Sequence, residues 1–200
     1  MCAAVGHTLA GRAPGMSLDD VGRRQATALA HDLADAGAAA IYTSPLERAM
    51  ETACAIGAWV GLAVTPLQAL MEMDVGEWTG RTLTELDADA GDAWRRHNVF
   101  RSASRAPRGE LQLEVQARAV AALLDLLQRH ASDTVIAVTH AEVIRAVLGY
   151  WLGVPIDLQR RIDVAPASVT TIELEPWDAR VTSVGVLSPA IRACVAISSV

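Results

Sequence analysis

The sequence predicts an α/β fold, a three-layer α/β/α sandwich with a mostly parallel sheet, and three observations carry that prediction. Short apolar runs suited to buried strands, residues 38–42 and Thr134–Val138, alternate with longer stretches of helical period. Both runs pass within a few residues into a helix-start signal, the strand-to-helix junction expected of a parallel sheet. The chain has 200 residues, 52% of them apolar and 20% charged, enough for one well-filled core and too few for two.

The elements follow in order. Ser17 with Asp20 makes an S-x-x-D capping box for a first helix through Val21, Ala26, Leu29 and Leu33, with Gly37 as its stop. The strand at 38–42 leads to Ser44-Pro45-Leu46-Glu47, where Ser44 can cap, Pro45 suits the first helical position and Glu47 completes a capping box. This second helix runs to about Val60, with Gly61 behind it and a short strand at 62–64. Residues 71–109 are irregular and rich in Trp, Asp, Gly and Arg, and read as an insertion over one face with short helices at 83–96. Residues 110–129 form a long helix with Leu113, Val120, Leu124 and Leu127 on one side. The strand Thr134–Val138 leads through Thr139-His140 into a helix at 142–152. Strands at 168–174 and 180–184 close the domain around a turn at 175–179. Residues 1–186 therefore read as a single domain, followed by a tail at 187–200. The tail's apolar stretch, 193–197, either packs on the domain or mediates contacts, and a homodimer is one expectation.

Composition narrows the function. The formal net charge is −6, which disfavours a general nucleic-acid binder. No apolar run reaches the roughly 18 residues of a membrane-spanning helix, and the start lacks the regions of a signal peptide. All 17 basic residues are arginine, which matches a compositional bias, so only the placement of each one is informative. The three cysteines, Cys2, Cys54 and Cys194, form no C-x-x-C pair, which suggests buried thiols in a reducing compartment and no zinc site. A cytoplasmic protein without membrane or nucleic-acid partners is expected.

In an open α/β sheet, ligands bind beyond the carboxyl ends of the strands. His140 stands at such an end, where the free N–H groups of a helix start favour an anion; the alternative is a histidine that merely finishes a strand. Arg48 lies in the first turn of a helix, against the macrodipole, so it either points to solvent or joins the dipole on an anion. Glu72, at the start of the irregular middle, can donate a proton to a leaving alcohol, although loop carboxylates are more often simply solvated.

Taken together these residues resemble the histidine phosphatase superfamily, the phosphoglycerate-mutase-like fold, in its phosphatase branch. The stretch from Ser44-Pro45-Leu46-Glu47-Arg48 to Thr52-Ala53 is similar to the family's S-P-L-x-R-A-x-x-T-A segment. Leu70-Met71-Glu72 with Gly76, Trp78 and Gly80 is similar to L-x-E-x-x-x-G-x-W-x-G. The strand before Thr139-His140, with Val143-Ile144-Arg145 after it, resembles the second-histidine segment. Leu18 to Ala26 resembles L-T-x-x-G-x-x-Q-A, and Pro107-Arg108-Gly109-Glu110 with Arg118 resembles P-G-G-E…R, with Arg108 where a glycine is usual. The segments occur in the family's order over roughly residues 6–185.

The resemblance implies phosphomonoester hydrolysis of a small soluble phosphorylated metabolite, with no metal or cofactor. One histidine becomes phosphohistidine and water then releases phosphate. Arg48 clamps phosphate, His140 is the second histidine, Glu72 is the proton donor, and Arg12, in a glycine-arginine loop, is a further phosphate ligand. Phosphoglycerate-mutase-type transfer is one alternative, disfavoured by the compact middle. A catalytically inactive phospho-ligand-binding protein is another.

The family's opening strand, ending in Arg-His, is not recognisable. On one reading, residues 6–12 match the later glycine-arginine loop and the first central strand, with its nucleophile, is missing upstream. On the other, Val5-Gly6-His7 is a degenerate nucleophile motif and His7 attacks phosphorus. The first is preferred because His7 stands too close to the first helix. A missing central strand would leave two strand edges open and reduce stability. His31 reads as solvated, the triplet Arg95-Arg96-His97 as a solvated loop or, alternatively, a substrate contact, His130 as the end of a helix, and Trp78 and Trp94 as packing residues.

Overall fold

The computed structural model describes residues 8–191. His7, Cys2, Cys194 and the apolar stretch at 193–197 lie outside the described residues. The first helix, α1 (Asp20–Asp32), is capped by Asp19, whose carboxylate accepts from the Gly22 N–H at 2.6 Å. Ser17 is therefore not the cap; the carboxylate one residue before the helix reaches the free N–H groups instead. Strand β1 (Ala38–Thr43) follows and feeds α2 (Glu47–Val60), which ends on Gly61 in the left-handed region at φ 75°. This helix starts at Glu47 rather than Ser44, and Ser44 is left with a different task, described below.

Strand β2 (Val64–Pro66) leads into the irregular middle. Here a single helical turn, α3 (Leu83–Glu85), continues as a wider turn at Leu86–Ala90 into α4 (Gly91–Val99). Thr82 and Glu85 form a capping box. Helix α5 (Gln112–Arg129), strand β3 (Thr134–Val138) and helix α6 (Ala141–Leu152) come next. The antiparallel hairpin of β4 (Val169–Glu175) and β5 (Asp178–Val186) completes the domain.

The sheet order is β2-β1-β3, all parallel. Alternation along β1 separates the layers, because successive side chains point to opposite faces. Ile41 packs with Leu29 and Ala30 of α1 and with Ala53 and Ile56 of α2. Tyr42 faces the other way, onto Leu70 and onto Leu126 of α5. Helix α5 buries Gln112, Val115, Ala119, Val120 and Leu126. Leu113 and Leu124, placed on its inner side by sequence, are exposed. A second apolar cluster joins Val115 and Ala119 of α5, Val143, Ala146 and Val147 of α6, and Met73, Val75, Trp78 and Leu86 of the middle segment. Thus the insertion is anchored by its own core. Of the tail, Leu187 and Ile191 pack on the α1–α2 side of the sheet. Cys54 is exposed on α2 rather than buried. Among the described residues no helix is long and apolar enough to cross a membrane.

Among the described residues β3 has one strand partner, β1, and the β4–β5 hairpin forms a ladder of its own. Yet Ile136 and Val138 of β3 and Val169 of β4 pack against the same apolar cluster. A strand beside β3, on the side away from β1, would pair N–H and C=O groups that have no strand partner among the described residues. A chain extended upstream by four or five apolar residues ending in Arg-His should melt at a higher temperature if that strand takes this place. Equal thermal midpoints would count against that strand pairing with β3.

Candidate active site

The register of two parallel strands builds the site. Thr43 at the end of β1 lies opposite Val138 at the end of β3. The ladder runs one step further, with the Ser44 N–H donating to the Val138 carbonyl at 2.9 Å. Both chains leave the sheet at the same level, and the next residues, Ser44 and Thr139-His140, stand side by side. The His140 Nε2 lies 2.7 Å from the Ser44 Oγ, across 96 residues of sequence. Ser44 is fully buried and His140 is 8% exposed. The Thr139 hydroxyl donates to the Leu70 carbonyl at 2.7 Å, which ties this junction to the segment that carries Glu72.

Arg48 reaches the same place from the first turn of α2. Its Nη2 donates to the Gly11 carbonyl at 2.8 Å. Its Nη1 is buried with no hydrogen-bond partner among the described residues. A buried guanidinium N–H without an acceptor is costly, so the arrangement suits an anion. Burial, and after it the charges of Arg48, Arg118 and Arg12, hold the His140 imidazole down at about 3. His140 is therefore neutral at physiological pH.

Glu72 keeps some surface access although it lies deep among protein atoms. Its Oε1 accepts from the Met73 N–H at 2.8 Å. Burial, and next the charge of Glu142, push its carboxyl up to about 7, against the opposing pull of the Met73 N–H, Arg48 and Arg118. The Glu72 backbone is held from two sides. Arg12 Nε donates to its carbonyl at 2.8 Å, and Arg118 Nη2 to the same oxygen at 3.3 Å. Both arginines also meet Glu110. Arg12 Nη2 donates to its Oε2 at 2.8 Å, and Arg118 Nε to its Oε1 at 3.1 Å. The Asp74 N–H completes the set at 2.9 Å.

Arg12, Arg48 and Arg118 lie close enough to act on the His140 imidazole, and Arg48 and Arg118 on the Glu72 carboxyl. Arg12 turns its fork toward Glu110 and the Glu72 backbone. Ser44, Glu110 and Arg118 belong to the site as well. By sequence Ser44 reads as a helix cap, and Glu110 and Arg118 stand in a segment similar to the family's without a role of their own. His97 is not solvated: it is 1% exposed, its Nδ1 is 2.9 Å from the Ser104 carbonyl, and its ring packs against Trp78 and Trp94, which also touch each other. His31 is exposed beside Trp59, and His130 bonds Tyr42 and Asp133.

The depressed His140 has a consequence for stability. A folded value below the ordinary 6.5 means that its contribution is present above pH 6.5 and is lost as pH falls toward about 3. Relative to His140→Gln, the parent should lose about 1 kcal/mol per pH unit below 6.5, and nothing above it. Urea unfolding of both proteins from pH 8 to 4.5 measures this, and parallel curves would contradict it.

A family model described as histidine phosphatase superfamily (branch 1) matches residues 4–186. The glucosyl-3-phosphoglycerate phosphatase of Mycolicibacterium vanbaalenii is 35% identical over 151 residues, 70% of this chain. That match spans 65% of the relative's own length, just under two thirds. A probable phosphoglycerate mutase, GpmB, of Yersinia pestis is 29% identical over 163 residues, 80% of this chain and 75% of the relative. Among solved structures, Bacillus stearothermophilus YhfR superimposes with a TM-score of 0.84 at 28% identity, covering 92% of this chain and 96% of that one. With the fold, the motif order and the family match in agreement, this chain belongs to branch 1 of the histidine phosphatase superfamily.

Proposed function

We infer that the chain hydrolyses phosphomonoesters of small metabolites through a phosphohistidine. The observation that carries this reading is the buried Arg48 Nη1, without an acceptor among the described residues, beside a neutral His140 at the carboxyl edge of the sheet. A phosphoryl oxygen supplies the missing acceptor. Arg48 and His140 both donate to it, and their hydrogen bonds strengthen as charge builds on the transferring group. The Ser44 hydroxyl, 2.7 Å from His140 Nε2, orients the imidazole.

The nucleophile is a histidine outside the described residues, either His7 or one carried on a strand upstream. Its ring nitrogen bonds to phosphorus while the bond from phosphorus to the ester oxygen breaks. The leaving oxygen takes the proton of Glu72. The resulting carboxylate then removes a proton from water, the hydroxide oxygen attacks phosphorus, the N–P bond breaks, and phosphate leaves. Glu72 suits both steps because a value of about 7 gives it comparable acid and base populations near neutrality. The named activity of the Mycolicibacterium relative favours hydrolysis. The Yersinia relative favours a second reading, phosphoryl transfer of the phosphoglycerate mutase type.

Hydrolysis of a generic phosphomonoester tests the first reading. Glu72→Gln should lower kcat roughly 100- to 10,000-fold, since it removes the proton donor. Arg48→Met and His140→Ala should each lower it about 100-fold or more. The parent's rate should decline as pH rises through about 7, where Glu72 loses its proton. Activity that survives in His140→Ala would contradict the assignment. Activity that depends on added phosphorylated primer and moves phosphate between two hydroxyls of one substrate would favour the mutase. Loss of activity in His7→Ala would place the nucleophile at His7. An inactive folded chain that regains activity with the upstream Arg-His strand would place it there.

A further inference from the structure

The outer face of α2 lacks the polar stripe of a helix that meets water. Residues 52–64 contain no charged residue, and they are helical from Thr52 to Val60. Ala53, Ile56 and Gly57 are buried, as the inner face of a helix requires. Cys54, Ala58 and Trp59 lie on the other side and are exposed, Trp59 by 55%. A surface helix carries charged or polar residues there, whereas a helix apolar all round is one that is covered all round. The face continues onto α1. An open hollow of about 420 Å3 between the two helices is lined by Arg23, Arg24, Thr27, Ala28, His31 and Trp59. The Trp59 and His31 rings meet there, with centroids 5.6 Å apart.

The charges of α1 say what covers this face. Arg23 is paired with Asp20 inside the helix. Arg24 and Asp32 are exposed and have no ion pair among the described residues. Asp32 is the last residue of α1, a carboxylate at the negative end of the helix dipole, where a cation from elsewhere is needed to offset it. Arg24, Ala28 and Asp32, spaced four residues apart, lie along one ridge of the helix. The cation and the anion are thus equally far from one small side chain. A two-fold axis at Ala28 sets α1 against a second α1 running the opposite way, with Arg24 of each copy beside Asp32 of the other. It also brings the positive end of each dipole toward the negative end of the other. The same pairing closes the hollow and covers Trp59 of both copies. A partner of another kind would have no need of two opposite charges spaced evenly about one alanine.

We propose that the outer face of α1 and α2 binds a second copy of this chain in a two-fold dimer centred on Ala28, with reciprocal Arg24–Asp32 pairs flanking the two Trp59 side chains. The interface is independent of the phosphatase reading, since none of these residues belongs to the site. Sedimentation velocity of the full chain across the micromolar range tests it. The parent should sediment as a dimer. Arg24→Asp sets two carboxylates against each other at both ends of the interface and should weaken the dimer at least about tenfold, as should Asp32→Arg with two guanidinium groups. The double variant, Arg24→Asp with Asp32→Arg, rebuilds both pairs with their signs exchanged and should recover most of the lost affinity.

Trp59→Ser removes the apolar centre and should also weaken the dimer at least about tenfold. Circular dichroism of each variant establishes that it is folded before its mass is compared. Recovery in the double variant is the signature of two copies meeting through these residues, because a helix merely disturbed by mutation would be disturbed further. A monomeric parent overturns the proposal and leaves the face to an occupant other than a second copy. A dimer that withstands both single charge reversals and Trp59→Ser, or one that the double variant does not restore, overturns it as well.

Discussion

The whole site depends on the in-register pairing of β1 with β3. Parallel strands joined through long crossovers have no local turn to fix their alignment, so buried side chains must do it. Here Ile41 and Tyr42 point into opposite layers, and Ile136 and Val138 pack on the same side as Ile41. A slip of one residue would turn each of these to the wrong face. The same slip would separate Ser44 from His140. The packing that makes the sheet therefore also sets the geometry on which the proposed anion binding relies.

A second constraint is charge. Three arginines, Arg12, Arg48 and Arg118, converge where His140 is buried, and their effect on its imidazole shows how positive the place is. Glu110 balances two of them and uses them as struts. Through Arg12 and Arg118 it holds the Glu72 carbonyl, and through its own oxygen it holds the Asp74 N–H. Arg48 is left with an N–H to offer. The cations that support the site are thus paired with Glu110, while the Arg48 Nη1 has no acceptor among the described residues, which is where the proposed phosphoryl oxygen would fit.

Much of this was legible in the sequence because the elements that matter are short, apolar and followed by clear helix starts. The run Thr134–Val138 and the helix signals after it placed His140, and the segment from Ser44 to Ala53 placed Arg48. What escaped is what depends on distant residues. Ser44 has the composition of a helix cap, and only the neighbouring strand shows that its hydroxyl meets His140. His97 follows the pair Arg95-Arg96, which suggests solvent, but its ring packs against Trp78 and Trp94. The departure at Arg108 has a physical reading too. Its φ of 60° lies where a glycine is comfortable, and the loop passes so close to Gly76 that a Cβ there would lie 2.0 Å from the Pro107 carbonyl oxygen.

The central claim is that the pocket formed by Arg48, His140 and Ser44 binds a phosphoryl oxyanion. Titration calorimetry with inorganic phosphate at pH 7 tests it without any demand on turnover. The account predicts that the parent binds phosphate and that Arg48→Met, folded to the same extent, binds it at least tenfold more weakly. Equal affinity in the two proteins, or no binding by the parent, would contradict it.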